Sequence, residues 1–276
     1  MANITAAEVN ALRKITGAGM MDCKKALIES EGDQEKAIDI LRKKGQKVAA
    51  KRADKEATEG MIIAKTSEDN TYGVVVMVNC ETDFVAKGDD FMTYVKGVAD
   101  VALKNKPATI DELKALNLNG RTVGDNLTDL IGKIGEKMEI PRYEFIEAPV
   151  VSAYNHQGNK LATLLGLNQN FDGAAQVAHE LAMQVAAMSP IAVDKTDVDQ
   201  ATIDKEIEIG KDQARQEGKP EQMLEKIAMG KLNKFFKENT LLNQDFVRES
   251  KKTVKQYLTE YDKDLTVTSF KRLMLG

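Results

Sequence analysis

The sequence predicts an α+β protein: an N-terminal three-helix bundle, a core of two related hairpin-plus-helix subdomains, and a helical-hairpin (coiled-coil) insertion. Three observations carry this. Three short amphipathic patterns fill roughly the first fifty residues. The order strand, turn, strand, helix occurs twice, over residues 60–104 and 150–188. Residues 194–240 then turn highly charged around a narrow apolar seam. The expected divisions are 1–55, the bundle with a basic linker; 56–148, the first core subdomain; 149–193 with 241–276, the second; and 194–240, the insertion.

Thr5 and Glu8 have the spacing of a capping box, each side chain within reach of the other's backbone N–H. Val9, Leu12 and Ile15 are the expected inner face of the first helix, which Gly17 and Gly19 break. Met20 and Met21 open the second helix, with Cys23, Ala26 and Leu27 facing inward. Gly32 and Asp33 end it and cap the third, where Ala37, Ile40, Leu41 and Val48 are expected inside. Met20 and Met21 admit two readings, core filling or an exposed lip for a partner. Residues 42–55 carry seven basic residues and one acidic one. The plain reading is a solvated helix tail or linker; no aromatic is interleaved for base stacking.

Residues 60–65 (GMIIAK) and 72–80 (YGVVVMVNC), separated by a polar turn at 67–70, predict a β-hairpin. Phe91, Val95, Val98, Ala99 and Ala102 recur at helical spacing, and two helices follow near 110–116 and 123–134. A strand near 139–147 leads to a second hairpin, 150–154 with 161–167, and a helix over 173–188 striped by Val177, Leu181, Gln184 and Val185. In the insertion, Ile203, Ile207 and Ala214 stripe one helix. Gly218 and Pro220 turn the chain, Pro220 suiting the first helical position. Met223, Leu224, Ile227, Ala228 and Phe235 stripe the return. A helix near 253–260 and a strand near 265–270, joining the second sheet, complete the chain.

Between the first hairpin and its helix lies the stretch with the strongest functional signal, residues 79–90 (NCETDFVAKGDD). The apolar run stops and only Phe84 and Val85 remain apolar in a polar loop. An aromatic there is either tucked under its loop or offered to a partner. Asp83 beside it is a short-armed carboxylate.

Of 276 residues, 30% are charged and 42% hydrophobic, as in globular proteins. The net charge of -4 argues against nucleic acid as a direct ligand, which usually calls for a basic excess. Two cysteines outside any CxxC, no apolar signal segment in MANITAAEVN, and no apolar run near the ~20 residues of a membrane helix predict a cytoplasmic, membrane-free protein. No phosphate loop or dinucleotide fingerprint is present. His179 and Glu180 begin a zinc-protease pattern, but Met183 stands where the second ligand would be. His156 has no triad-like neighbour. No catalytic residue, metal or cofactor is therefore expected.

TGAGMMDCKKAL (16–27) with VNCETDFVAK (78–87) resembles bacterial elongation factor Ts. KIGE (133–136), HELAMQVAA (179–187), QDFV (244–247) and KTV (252–254) extend the resemblance over essentially the whole chain. It implies a bundle of the ubiquitin-associated (UBA-like) type and a guanine-nucleotide exchange factor for elongation factor Tu, engaging its GDP-bound and nucleotide-free forms. It implies that Thr82, Asp83, Phe84 and Val85 dislodge the partner's magnesium ion. It also implies partner contacts at Leu12, Gly19, Met20, Met21, Ile134, His179, Met183 and Gln184. The helical hairpin offers a route to self-association. Pro141 stands where relatives often carry an arginine, so no role for that arginine is carried over. The chain stops soon after its last predicted strand, so the C-terminal helical module of some members is expected to be absent. A reading from another class is a pure adaptor that scaffolds proteins without driving exchange.

Overall fold

The reciprocal bonds expected at the N-terminus are present. Glu8 accepts from the Thr5 N–H at 2.7 Å, and the Thr5 hydroxyl accepts from the Glu8 N–H at 3.3 Å. They open α1 (Ala6–Thr16) in a computed structural model that describes residues 4–276. The first three residues of the MANITAAEVN segment lie outside the described residues. Gly17, at φ 65°, closes α1 in a left-handed cap. Then come α2 (Met20–Glu29) and α3 (Gln34–Lys51), the latter capped by Asp33, which accepts from the Glu35 and Lys36 N–H groups. Val9, Leu12, Cys23, Ala26, Leu27 and Ala37 form the bundle core.

Two expectations for this core fail. Ile15 is exposed, because steps of three residues drift about 60° each around a helix and carry it off the Val9–Leu12 face. Val48 packs on a different core, because α3, at 18 residues, outruns its bundle partners. The basic run 42–55 is largely this overhanging helix, with Lys43, Lys44, Lys47 and Lys51 in solvent.

The first sheet is antiparallel, in the order β1 (Glu59–Thr66), β2 (Tyr72–Cys80), β5 (Met138–Glu147). Between β2 and β5 run a single turn of helix, α4 (Asp83–Ala86), then α5 (Asp89–Asn105) and α6 (Ile110–Ala115). A minimal hairpin, β3 (Asn117–Leu118) with β4 (Arg121–Thr122), precedes α7 (Val123–Ile134). Phe91, Val95, Val98 and Leu130 from α5 and α7 pack on Val74, Val76 and Val78 of one sheet face.

The second sheet has the order β10 (Val267–Met274), β7 (Leu161–Leu167), β6 (Val150–Asn155). α8 (Ala174–Met188) and α11 (Val254–Thr259) cover its outer face with Val177, Leu181, Val185 and Leu258. The inner faces of the two sheets meet. Ile62, Val75 and Met77 bury against Val151, Leu164 and Leu273. The body is thus helix, sheet, sheet, helix in four layers. This explains why β2 reads as an unbroken apolar run: it is covered on both faces.

The insertion is an antiparallel pair, α9 (Gln200–Gln216) and α10 (Glu221–Asn239). Its buried seam is narrower than expected: Gly210, Ala214, Leu224, Ala228 and Leu232, with Met223 in solvent. Pro220 is the cap of α10 and not its first residue. A small hairpin of β8 (Asp245–Phe246) and β9 (Glu249–Thr253) was not expected; its strands are too short to show a period. β10 continues past Phe270 to Met274, since its exposed edge side chains hide the apolar alternation.

Candidate partner-docking site

The end of β2 is prepared from inside. Cys80 is buried, and its thiol donates to the Thr82 carbonyl at 3.2 Å. Burial, with the Glu136 charge nearby, pushes that thiol up to about 12, so it stays protonated and unreactive. Thr82 caps α4: its hydroxyl accepts from the Val85 N–H at 3.3 Å. Glu136 in turn accepts from the Thr82 N–H at 3.1 Å and from the Thr82 hydroxyl at 2.8 Å. Val85 and Ala86 lie half-buried against the first core and fasten the turn. Phe84 points the other way and is 84% exposed. Of the two sequence readings for this ring, tucking under its own loop is not what the chain does.

Asp83 is held by Lys87, whose ammonium donates to it at 2.7 Å. That bond keeps the Asp83 carboxyl below its ordinary range, helped by the charge of Lys160. Lys160 belongs to the β6–β7 turn and pairs with Glu59 at 2.7 Å. The second sheet therefore contributes charge to a turn carried by the first.

The bundle presents a second exposed corner. Met20 is 54% and Met21 62% exposed on the first turn of α2, beside exposed Gly19 and Ile15. The core-filling reading of the methionines is corrected: Cys23, Ala26 and Leu27 already fill the inner face of α2. Leu12 is fully buried under this corner and offers no surface of its own.

The remaining candidates are scattered. Ile134 is half-buried on the same core as Val85, two residues before Glu136. On α8, His179 stands edge-on to Tyr154, its Nδ1 3.5 Å from the Ser152 hydroxyl, and Met183 is half-buried. Gln184 is 1% exposed. Its amide donates to Gln244 and to the Asp245 carbonyl, and accepts from the Val247 N–H at 2.8 Å. It is spent inside the chain, tying α8 to the β8–β9 hairpin, and is not a rim residue. Among the described residues, no three His, Cys, Asp or Glu side chains are grouped to hold a metal ion, and no helix is long and apolar enough to cross a membrane.

Exposed apolar side chains on braced corners mark a class of protein: a factor that acts by contact with another macromolecule. Comparison with known proteins gives the family. Residues 81–276 match the family model described as elongation factor TS. The chain is 55% identical to elongation factor Ts of Christiangramia forsetii and 53% identical to that of Flavobacterium psychrophilum, with 100% of each chain covered. The protein of the same name from Cytophaga hutchinsonii is 52% identical over the same full coverage. The chain belongs to the elongation factor Ts family.

Proposed function

We propose that this protein is a guanine-nucleotide exchange factor that binds elongation factor Tu–GDP and promotes exchange of GDP for GTP during translation elongation. The observation that carries the reading is the 84% exposure of Phe84 on a capped, braced turn. Exchange requires no bond making in the factor. It requires tighter binding to the nucleotide-free partner than to the nucleotide-bound one, and linkage then lowers nucleotide affinity by the same factor. A guanine nucleotide is held by backbone donors, a lysine and a magnesium ion bridging its phosphates. Phe84 wedges between partner side chains beside that site. Burying the ring there is worth about 1.5–3 kcal/mol, available only in the complex. Asp83, anionic and pre-set by Lys87, disturbs the magnesium shell. Thr82 and Val85 hold the turn that carries both.

The Gly19–Met21 corner docks on the GTPase domain, with Leu12 supporting it from within. Ile134 steadies the Phe84 turn. His179 and Met183 on α8 meet a different domain of the partner. The α9–α10 arm serves self-association or lateral contacts and not the exchange step. The protein works in the cytoplasm without direct contact to nucleic acid.

The test is release of fluorescent GDP from elongation factor Tu. The rate should rise with factor concentration and reach a plateau. Binding with an unchanged release rate would overturn the exchange reading and leave an adaptor.

A further inference from the structure

The Phe84 turn is fixed by a knot of backbone and carboxylate groups that its own sequence does not contain. Two pairs of neighbours hold each other reciprocally. Glu136 accepts from the Thr82 N–H at 3.1 Å, while Glu81 accepts from the Lys137 N–H at 2.6 Å. The exit of β2 and the exit of α7 are thus cross-locked, each side giving one carboxylate and one N–H. The second oxygen of Glu136 takes the Thr82 hydroxyl proton at 2.8 Å. That fixes the hydroxyl so that a lone pair is left for the Val85 N–H. The second oxygen of Glu81 takes Arg52, just beyond α3, at 3.1 Å. Lys137 then reaches back to the carbonyls of Ala53 and Lys55 at 3.1 and 3.0 Å.

The geometry points to Glu136 and Glu81 as positioning residues of the exchange site: their cross-lock pre-organises Phe84 for insertion. This rests on the exchange reading above. The turn has no fully buried residue of its own, so packing alone does not fix it. A loosened turn would have to be ordered at the moment of insertion, and that cost opposes the step. The bundle corner and α8 make the first contact, so the loss falls on the rate at saturation and not on the concentration needed to reach it.

Glu136→Ala removes both acceptors; Glu136→Gln keeps one and the shape. In the free protein, the Thr82 and Val85 amides of Glu136→Ala should exchange hydrogen at least about tenfold faster, the order of one charge-assisted hydrogen bond. With elongation factor Tu–GDP, its plateau release rate should fall about tenfold, with the half-saturating concentration within about twofold of wild type. Glu136→Gln should lose less on both measures, and it decides the matter alone if the alanine variant does not fold. Retained amide protection, or lost protection with an unchanged plateau, overturns the proposal. A wild-type protein that leaves GDP release unchanged overturns the exchange reading itself, and the amides of the free protein still decide whether Glu136 orders the turn.

Discussion

A phenyl ring that is 84% exposed adds almost no buried area to the folded chain, so removing it should cost the fold little. Surface substitutions of this kind usually stay within about 0.5 kcal/mol, whereas truncating a buried Phe costs about 3–5 kcal/mol. Phe84→Ala should therefore melt close to wild type. If the ring is buried only in the complex, its loss should slow plateau GDP release by about tenfold or more. Melting temperature and plateau rate measured on the same preparation decide this. A large melting shift with a normal plateau would return Phe84 to the core. Asp83 is different: its contribution is charge, and the sign is fixed by Lys87. A carboxyl held below its ordinary range in the folded chain is fully ionised above the unfolded value of about 4. The bond to Lys87 fades only as pH falls through the lower folded value. Near neutral pH the turn carries its full negative charge.

Among the elements, the contact that sets the frame is the crossing of α3 over α7. Gly45 and Gly132 meet there. A Cβ on Gly132 would lie 2.8 Å from the Gly45 Cα, and one on Gly45 would lie 2.8 Å from the Thr128 carbonyl oxygen. These are backbone atoms, which cannot step aside as a flexible side chain can. Gly132→Ala should push the helices apart and destabilise the protein by about 1–3 kcal/mol, the range for overpacking. A urea titration reads the loss, and a stability equal to wild type would mean that the crossing is looser than its distances. The same crossing explains how a bundle with a core of six buried residues stays aligned: its third helix is shared with the body. Lys44 adds a pair with Asp22 at 2.5 Å within the bundle.

At the scale of the whole molecule, the bundle corner and the Phe84 turn sit on one framework. α3 carries the first and, through Arg52 and Lys137, touches the base of the second. A partner that meets Met20 therefore meets a pre-set angle to Phe84. Met20→Asp should leave the bundle folded, since the side chain is already 54% exposed. It should weaken binding to elongation factor Tu by about tenfold or more, because a carboxylate would be buried against an apolar patch. Calorimetry gives the affinity, and circular dichroism checks the fold. Unchanged affinity with a folded bundle would remove this corner from the interface.

What the sequence by itself determined is what depends on close neighbours. The Thr5–Glu8 box, the two hairpins, the helices of the body and the charged arm follow from caps, turns and periods read within a few residues. The change of texture after Val78 also marked the Phe84 turn. Tertiary structure alone decided which side chains are spent. Glu136 and Thr82 are 54 positions apart, and Arg52 and Glu81 are 29 apart. KIGE was legible as a motif, but nothing local told where its carboxylate would point. Gln184 looked like a rim residue until Gln244 and Val247 proved to occupy its amide, while Met20 looked like filler until Cys23, Ala26 and Leu27 proved to complete the core without it. The reason is physical: a cap or a turn is an energy between residues already tethered together, whereas exposure and pairing depend on which distant surface the folded chain brings within a few ångströms.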